Sequence, residues 1–590
     1  MPAPLLASIG ALFIGPVLFR FAAGKRAVMS ALDGFVLVTI GGLVFLDFLP
    51  HSVLIAGRWA LVSAGVGLLA PGAAERFLMQ GNGSRWGRVI MGLALLGLIL
   101  HDFLDGAVVG GHADPDHVSG NLLALGVILH RIPVGLAIWG LVRPTRGVAP
   151  ALGLLGLIIV ATMAGTWFSA VVFGSLAGQG LAMMQALVAG SLLHVVNHAL
   201  PLGEQCEVEH PVAAGAGALA GIALLYGLSE LHPVVHQVTG ELGAGRTFLT
   251  LSLESAPALL LALLIAAAIH LVLRPPDVLW LAKDSRPFRG AWRGLLLGIP
   301  LALSSADRPA LHRLVVRSDV PPAASATLLA FAPGSAIPGL LLSLVFLGGA
   351  FAGLRLVLGA AFAMLVGLLT AAVAKRGAPP VVEQVTWPSM EPPPHLGLRL
   401  VRFAGTSMIE RSSPWTLVGI LAAAIMEPVV APNLLHGLGL WTVPAMALLG
   451  LPIHLSATGA VPLVAVLLHK GISPGAAMAF LLTGPSANVH TLRSIASTYG
   501  RRAAVVFAGS IIATATVLGL LANAILPATP SWQLHEHSAR TPSLLSVIAL
   551  ALLASLTLAA LLRRGPRGLL GQLGLAHGHD SSMGEPAHAQ

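Results

Sequence analysis

His101, Asp102 and Asp105 stand at i, i+1 and i+4 within an apolar stretch. On a helix His101 and Asp105 share one face, one turn apart. An imidazole and a carboxylate at that spacing form a half-site for Zn²⁺ or a similar divalent ion. His130, on the next apolar stretch, offers a third ligand. A second reading uses the same residues. Arg131 neutralises Asp102, the histidines hydrogen-bond backbone or water, and two helices are locked together. A cation beside the site also opposes metal binding. Both readings stay open on spacing alone. His194 and His198, beside Pro201, read as interfacial histidines, and Asp47 with His51 as a helix-end hydrogen bond. His535, Glu536 and His537 fall in a loop near 527–541, and His577, His579 and His588 in a solvated tail.

A second set of candidates comes from repetition. Residues 295–333 and 447–485 align without gaps at an offset of 152 (450 − 298). The offset pairs Gly298 with Gly450, Pro300 with Pro452, Ser304 with Ser456, Pro322 with Pro474 and Pro333 with Pro485. Each copy carries Gly-x-Pro followed by serine. Proline removes a backbone donor and frees a carbonyl. Such breaks expose carbonyls and half-helix ends that bind ions or anions. The pathway residues are therefore Pro300, Ser304 and Ser305 in the first copy, and Pro452, His454, Ser456 and Thr458 in the second. Asn488, after Gly484-Pro485, joins them. The plain alternative is a pair of helix kinks, but occurrence at matching positions favours a substrate pathway.

The elements that must position these residues follow from composition. The 590 residues are 56% hydrophobic and only 10% charged, with a mean hydropathy of +0.86. Soluble chains carry about 25% charge. The chain is therefore all-α and polytopic, with the lipid bilayer as its first partner. Continuous apolar segments exclude a β-barrel. The 68 glycines and 41 prolines suit close helix contact and broken helices. The net charge of +9 reflects basic cytoplasmic loops and not a nucleic-acid surface. Cys206 is the single cysteine, so no internal disulfide or thiolate cluster forms.

Eight spans precede residue 233, near 4–22, 32–54, 59–79, 88–111, 121–142, 150–175, 180–200 and 211–231. Loops after odd spans carry eight Lys or Arg, and loops after even spans only Arg58, which puts the N-terminus outside. The organisation reads as a membrane domain at 1–232, a connector at 233–247, a second membrane domain at 248–562 and a polar tail at 563–590. The stretch 375–412, with five basic residues, reads as a cytoplasmic loop. Motifs for metalloproteases, serine hydrolases, P-loop nucleotide binding and dinucleotide binding are missing from the sequence. An enzyme is not expected, and transport must run on gradients.

Residues 1–232 resemble the ZIP zinc/iron transporter family. The resemblance is carried by His101-Asp102-Phe103-Leu104-Asp105-Gly106, by His130-Arg131-Ile132-Pro133-Val134-Gly135-Leu136-Ala137, and by the stretch from Leu192 to Pro201. It implies eight spans with both ends outside. It also implies a metal centre in which His101, Asp105 and His130 form one site and Asp102 belongs to a second. Val134 stands where that family has an acidic ligand, and Arg131 faces the second site. Residues 248–525 resemble the two-repeat permeases related to organoarsenical and heavy-metal efflux permeases. Gly450 to Leu492 is the closest stretch. Where metal exporters often carry a Cys-Ser-Cys triplet, this chain has Ser304, Ser305 and Ala306, which lack soft ligands. The resemblances imply a multi-pass transporter of the inner (plasma) membrane, exporting a divalent metal ion or related inorganic species. A small organic or oxyanion cargo, or a metal-sensing module without flux, are the alternatives. No cofactor is required beyond the metal as substrate or ligand, and association into homo-oligomers is compatible with the fold.

Overall fold

A computed structural model describes residues 3–22, 25–79, 99–110, 128, 131–143, 147–171, 178–197, 210–230, 244–272, 286–298, 320–374, 396–430, 436–453, 455–486, 488–527 and 541–573, less a few single positions and residue 170. Among the described residues none is in a strand. Among the described residues seven helices are long and apolar enough to cross a membrane. Large apolar side chains such as Val357, Val505 and Val517 are exposed, as a lipid-facing surface requires. The chain divides into two compact units, the first made of Met1–Glu241 with Leu561–Gly568 and the second of the remainder.

In the first unit, helices α1 (Ala3–Ala22), α2 (Arg26–Leu43), α3 (Leu49–Ala56) and α4 (Arg58–Met79) are followed by helical stretches at 99–110 and 131–143. Then come α5 (Val148–Trp167), α6 (Gln179–Asn197) and α7 (Pro211–Glu230). α2 packs on α7 and α4 on α6. Small residues set these distances, as membrane helix pairs require. A Cβ on Gly106 would come 2.0 Å from the Thr162 carbonyl oxygen, so the stretch bearing His101, Asp102 and Asp105 lies directly on α5.

The second unit contains α8 (Ala244–Val272), α9 (Pro287–Gly298), α10 (Pro322–Phe331) and α11 (Ile337–Val373), then α12 (Leu396–Phe403), a π-turn at Ala404–Met408 and α13 (Ile409–Val429). α14 (Thr442–Ile453), α15 (Ala457–His469), α16 (Pro474–Thr483), α17 (Val489–Tyr499), α18 (Arg501–Ile525) and α19 (Leu544–Gly571) complete the order.

The repeat is longer than the sequence alignment reached. At the same offset, α10 superimposes on the bounds of α16, and α11 on α17 plus α18. The 37-residue α11 is two helices in one: Gly348 has φ 83 and ψ 165, and its counterpart Gly500, which separates α17 from α18, has φ 91 and ψ 158. A positive φ is readily adopted only by glycine. The pairing repeats too: α9 packs on α10 as α14 packs on α16, and α10 on α11 as α16 on α18. The repeat thus runs over 244–373 and 396–525.

At the centre lie α10 and α16, ten residues each, with all of α16 and nine residues of α10 buried. A helix that is apolar all round belongs in the core. Ten residues rise about 15 Å, half of a bilayer's hydrocarbon thickness. Both helices are therefore too short to span a bilayer, and they end at the turns that begin at Ala332 and Gly484.

Two expectations are corrected here. The basic stretch assigned to a loop at 375–412 is helical from Leu396 onward. Arg399 and Arg402, at i and i+3, share one face of α12, so their charge does not demand a loop. The polar tail expected from residue 563 begins later, because α19 continues to Gly571. The helix does break at Gly565 (φ 67), ahead of Pro566, but a second helical stretch follows, and Arg567 on it reaches both carboxylate oxygens of Asp33, at 2.6 and 2.8 Å.

Candidate functional site

In the first unit the structure brings together Asp102, Asp105, His101 and Arg131. Arg131 lies 3.3 Å from Asp102 and 3.5 Å from Asp105, so one guanidinium spans both carboxylates. His101 Nε2 lies 3.6 Å from the Asp105 oxygen that faces Arg131. All four residues are buried. The i, i+4 spacing delivers the His101–Asp105 proximity, and the second helical stretch brings Arg131. A guanidinium suits this position because its planar fork serves two carboxylates at once. His130 lies outside the described residues. Among the described residues no group of three or more His, Cys, Asp or Glu is arranged to hold a metal ion. His194 is half-buried on α6, His51 is exposed near the start of α3, and His198 and the Asp47 side chain lie outside the described residues.

In the second unit the break between α14 and α15 is built around Ser456. Its hydroxyl accepts from Gly459 N–H at 3.3 Å and shares a 2.8 Å hydrogen bond with Thr458 Oγ1. Ser456 thereby caps α15, satisfying one of the amides a helix start leaves open. Ser456 and Thr458 line a cavity of about 70 Å³ with Arg411, Ser412 and Trp415 of α13. The opposite wall is Pro333, Ala336 and Pro338, the turn that opens α11 in the first repeat. One cavity thus joins the helix break of one repeat to the turn of the other. Pro452 sits inside α14, one residue before its end, and is not among the residues that line this cavity.

Asn488 has a structural task. Its Oδ1 accepts from Thr491 N–H at 2.6 Å and from Thr491 Oγ1 at 2.8 Å, capping α17. Its counterpart at the repeat offset is Ala336, which does line the cavity. Pro300, Ser304, Ser305 and His454 lie outside the described residues.

Sequence reading missed three polar groups of this unit. Arg355, inside α11 and 2% exposed, donates to the carbonyls of Gly334 at 2.9 Å and Gly339 at 3.2 Å, and to the hydroxyl of Ser343. It borders a cavity of about 20 Å³ between Ala330, Gly334 and Ser335 of the first repeat and Leu482 and Ser486 of the second. Ala330 with Leu482, and Gly334 with Ser486, are repeat counterparts, so this cavity sits on the repeat axis. Ser486 Oγ donates across it to the Ala330 carbonyl at 3.0 Å. The third group is the pair Glu427–Lys470, 3.2 Å apart and buried, which joins α13 to α15. One signal could have found Arg355, Glu427 and Lys470: a charge within or at the edge of an apolar span is a candidate by position alone.

The fold and this paired architecture define a polytopic α-helical membrane protein with an internal repeat. Residues 242–524 match the family described as "Predicted permease". Over 117 residues the chain is 25% identical to the UPF0718 protein of Methanocaldococcus jannaschii, a stretch that is 19% of this chain and 32% of that relative. The chain therefore spans about a third of the length of the curated relative it matches. No solved structure matches.

Proposed function

We propose that the protein is a gradient-driven permease of the inner (plasma) membrane that exports a small inorganic species through its second unit. The observation that carries this reading is the duplicated architecture. Two copies of one helical pattern, at one offset, bring the ends of two buried ten-residue helices together, where Ser486 Oγ donates to the Ala330 carbonyl at 3.0 Å. Helices that end within an apolar interior are retained where they face a substrate path. The match of residues 242–524 to a permease family supports the same reading.

The first unit takes a supporting role in this reading. Its resemblance to zinc/iron transporters suggests a divalent metal held by His101, Asp105 and His130. The span of Arg131 across Asp102 and Asp105 favours an ionic lock in the same place. A metal-sensing module without flux is the second reading, favoured by the 3.6 Å approach of His101 to Asp105.

Flux in proteoliposomes containing the full-length protein tests the proposal. Saturable transport of an inorganic ion that collapses when proton and voltage gradients are dissipated, and ignores added ATP, is the expected result. Retention of metal by the purified protein without flux of any ion under any gradient would establish the sensing reading instead.

A further inference from the structure

The two helix breaks of the second unit occupy equivalent places in the repeat but are held by different chemistry. In the first copy Arg355 lies beyond the bend at Gly348, on the second limb of α11. Its guanidinium reaches back across that bend. One terminal nitrogen donates to the Gly334 carbonyl at 2.9 Å, and the other donates to the Gly339 carbonyl at 3.2 Å and to the Ser343 hydroxyl. Ser343 Oγ in turn donates to the Gly339 carbonyl at 2.8 Å. One side chain thus ties together the turn, the first limb of α11 and the second limb. A guanidinium carries several N–H groups in a rigid fork, so each partner here has a donor of its own.

The second copy is built without this tie. At the repeat offset Phe507 stands in place of Arg355 and Ile495 in place of Ser343, and both are fully buried. Neither side chain has a donor to offer the turn carbonyls. The second turn is capped locally by Asn488 and meets the first repeat through Ser486. The Ser486 hydroxyl has one proton for two acceptors, the Ala330 carbonyl at 3.0 Å and the Leu482 carbonyl of its own helix. It can withdraw from the first repeat and still keep a partner.

We propose, resting on the permease reading of this unit, that Arg355 is a positioning residue that makes the first break a rigid strut, and that the transport cycle bends the chain at Gly500, moving α17 and the turn at 484–488 against that strut. Hinge motion is absorbed by a few residues able to change φ and ψ. Gly348 and Gly500 both have that freedom. What separates them is the side chain that crosses the bend. Alternating access by rocking one repeat against the other needs a fixed part and a moving part. The unequal clamping supplies both.

Distances between nitroxide labels test this in the full-length protein, reconstituted in lipid nanodiscs in a Cys206→Ser background. Leu344→Cys with Val357→Cys brackets Gly348, and Arg493→Cys with Val505→Cys brackets Gly500. All of these positions are exposed. A single narrow distance is expected across Gly348, and a broad or two-peaked distribution across Gly500. Arg355→Met should cost the first pair its narrow distance and leave the second pair unchanged. Arg355→Lys, which keeps the charge but loses the fork, should restore the narrow distance in part. If Arg355→Met does not yield folded protein, the wild-type comparison and Ser343→Ala, which removes one partner of the guanidinium, carry the test. Equal widths across the two bends in the wild type overturn the proposal. So does a narrow distance across Gly348 that survives Arg355→Met, or a broadening of both pairs alike, which a merely structural role would give. The distances are read without cargo, so these results leave the permease reading standing. Absence of flux of any ion in proteoliposomes overturns that reading and, with it, the transport role of the bend at Gly500.

Discussion

Arg131 offers the sharpest perturbation. Its guanidinium lies 3.3 Å from Asp102 and 3.5 Å from Asp105, and Arg131 and Asp102 are each 2% exposed. At an effective dielectric constant of about 20, each contact is worth about 5 kcal/mol of gross Coulomb attraction. Much of that offsets desolvation of the three charges. Arg131→Ala removes the attraction and leaves two buried carboxylates facing each other. Breaking a buried pair in this way costs about 3–5 kcal/mol. For a unit of this size the loss should lower the melting temperature by roughly 10 °C. The assay is thermal unfolding of the purified full-length protein in detergent, followed by tryptophan fluorescence and monodispersity. The triple variant Arg131→Met, Asp102→Asn, Asp105→Asn should recover most of the loss, because an uncharged cluster leaves no charge buried without a partner. Zn²⁺ should stabilise Arg131→Ala and not the wild type, since His101, Asp102 and Asp105 then face a site without the competing cation. At a hundredfold excess over Kd the gain is about 2.7 kcal/mol. An unchanged melting temperature for Arg131→Ala, or a triple variant no better than the single one, would refute the ionic lock.

Two further outcomes are expected. Gly419→Ala should destabilise the second unit by about 1–3 kcal/mol or more, because its Cβ would stand 2.2 Å from the Gly459 Cα where α13 crosses α15; normal yield and thermal stability would show that the crossing can relax. Asp33→Ala should speed tryptic cleavage after Arg563, Arg564 and Arg567, because the paired contacts at 2.6 and 2.8 Å hold residues 561–568 within the first unit. Asp33→Glu should slow it again, and equal cleavage rates in all three proteins would remove the clasp from the account.

The amino-acid sequence alone determined the fold class, because apolar segments of membrane-spanning length admit only helices or closed barrels, and the segments do not alternate. It also determined the core of the repeat, because Gly-x-Pro breaks recur at one offset and proline cannot continue a helix unnoticed. The i, i+4 spacing of His101 and Asp105 placed them on one face without further information. What the sequence could not decide are the partners that meet across space. The pairing of Arg131 with Asp102 follows from the cost of an unpaired charge in an apolar span; that Arg131 also spans Asp105 depends on how two helices rotate against each other. Arg567 and Asp33 are 534 positions apart, and nothing local links them. The full extent of the repeat emerged only from backbone angles. Gly348 and Gly500 lie in stretches with little side-chain similarity, yet share the same positive-φ bend. Asn488 shows the converse. Its amide was free to serve a substrate until the start of α17 used Oδ1 as a cap. Helix existence is a matter of local hydrophobicity and period, while the charge at a cavity depends on which side chains several distant segments turn toward one point. For that reason the arginines and hydroxyls beside the turn at 333–338 belong to the tertiary structure.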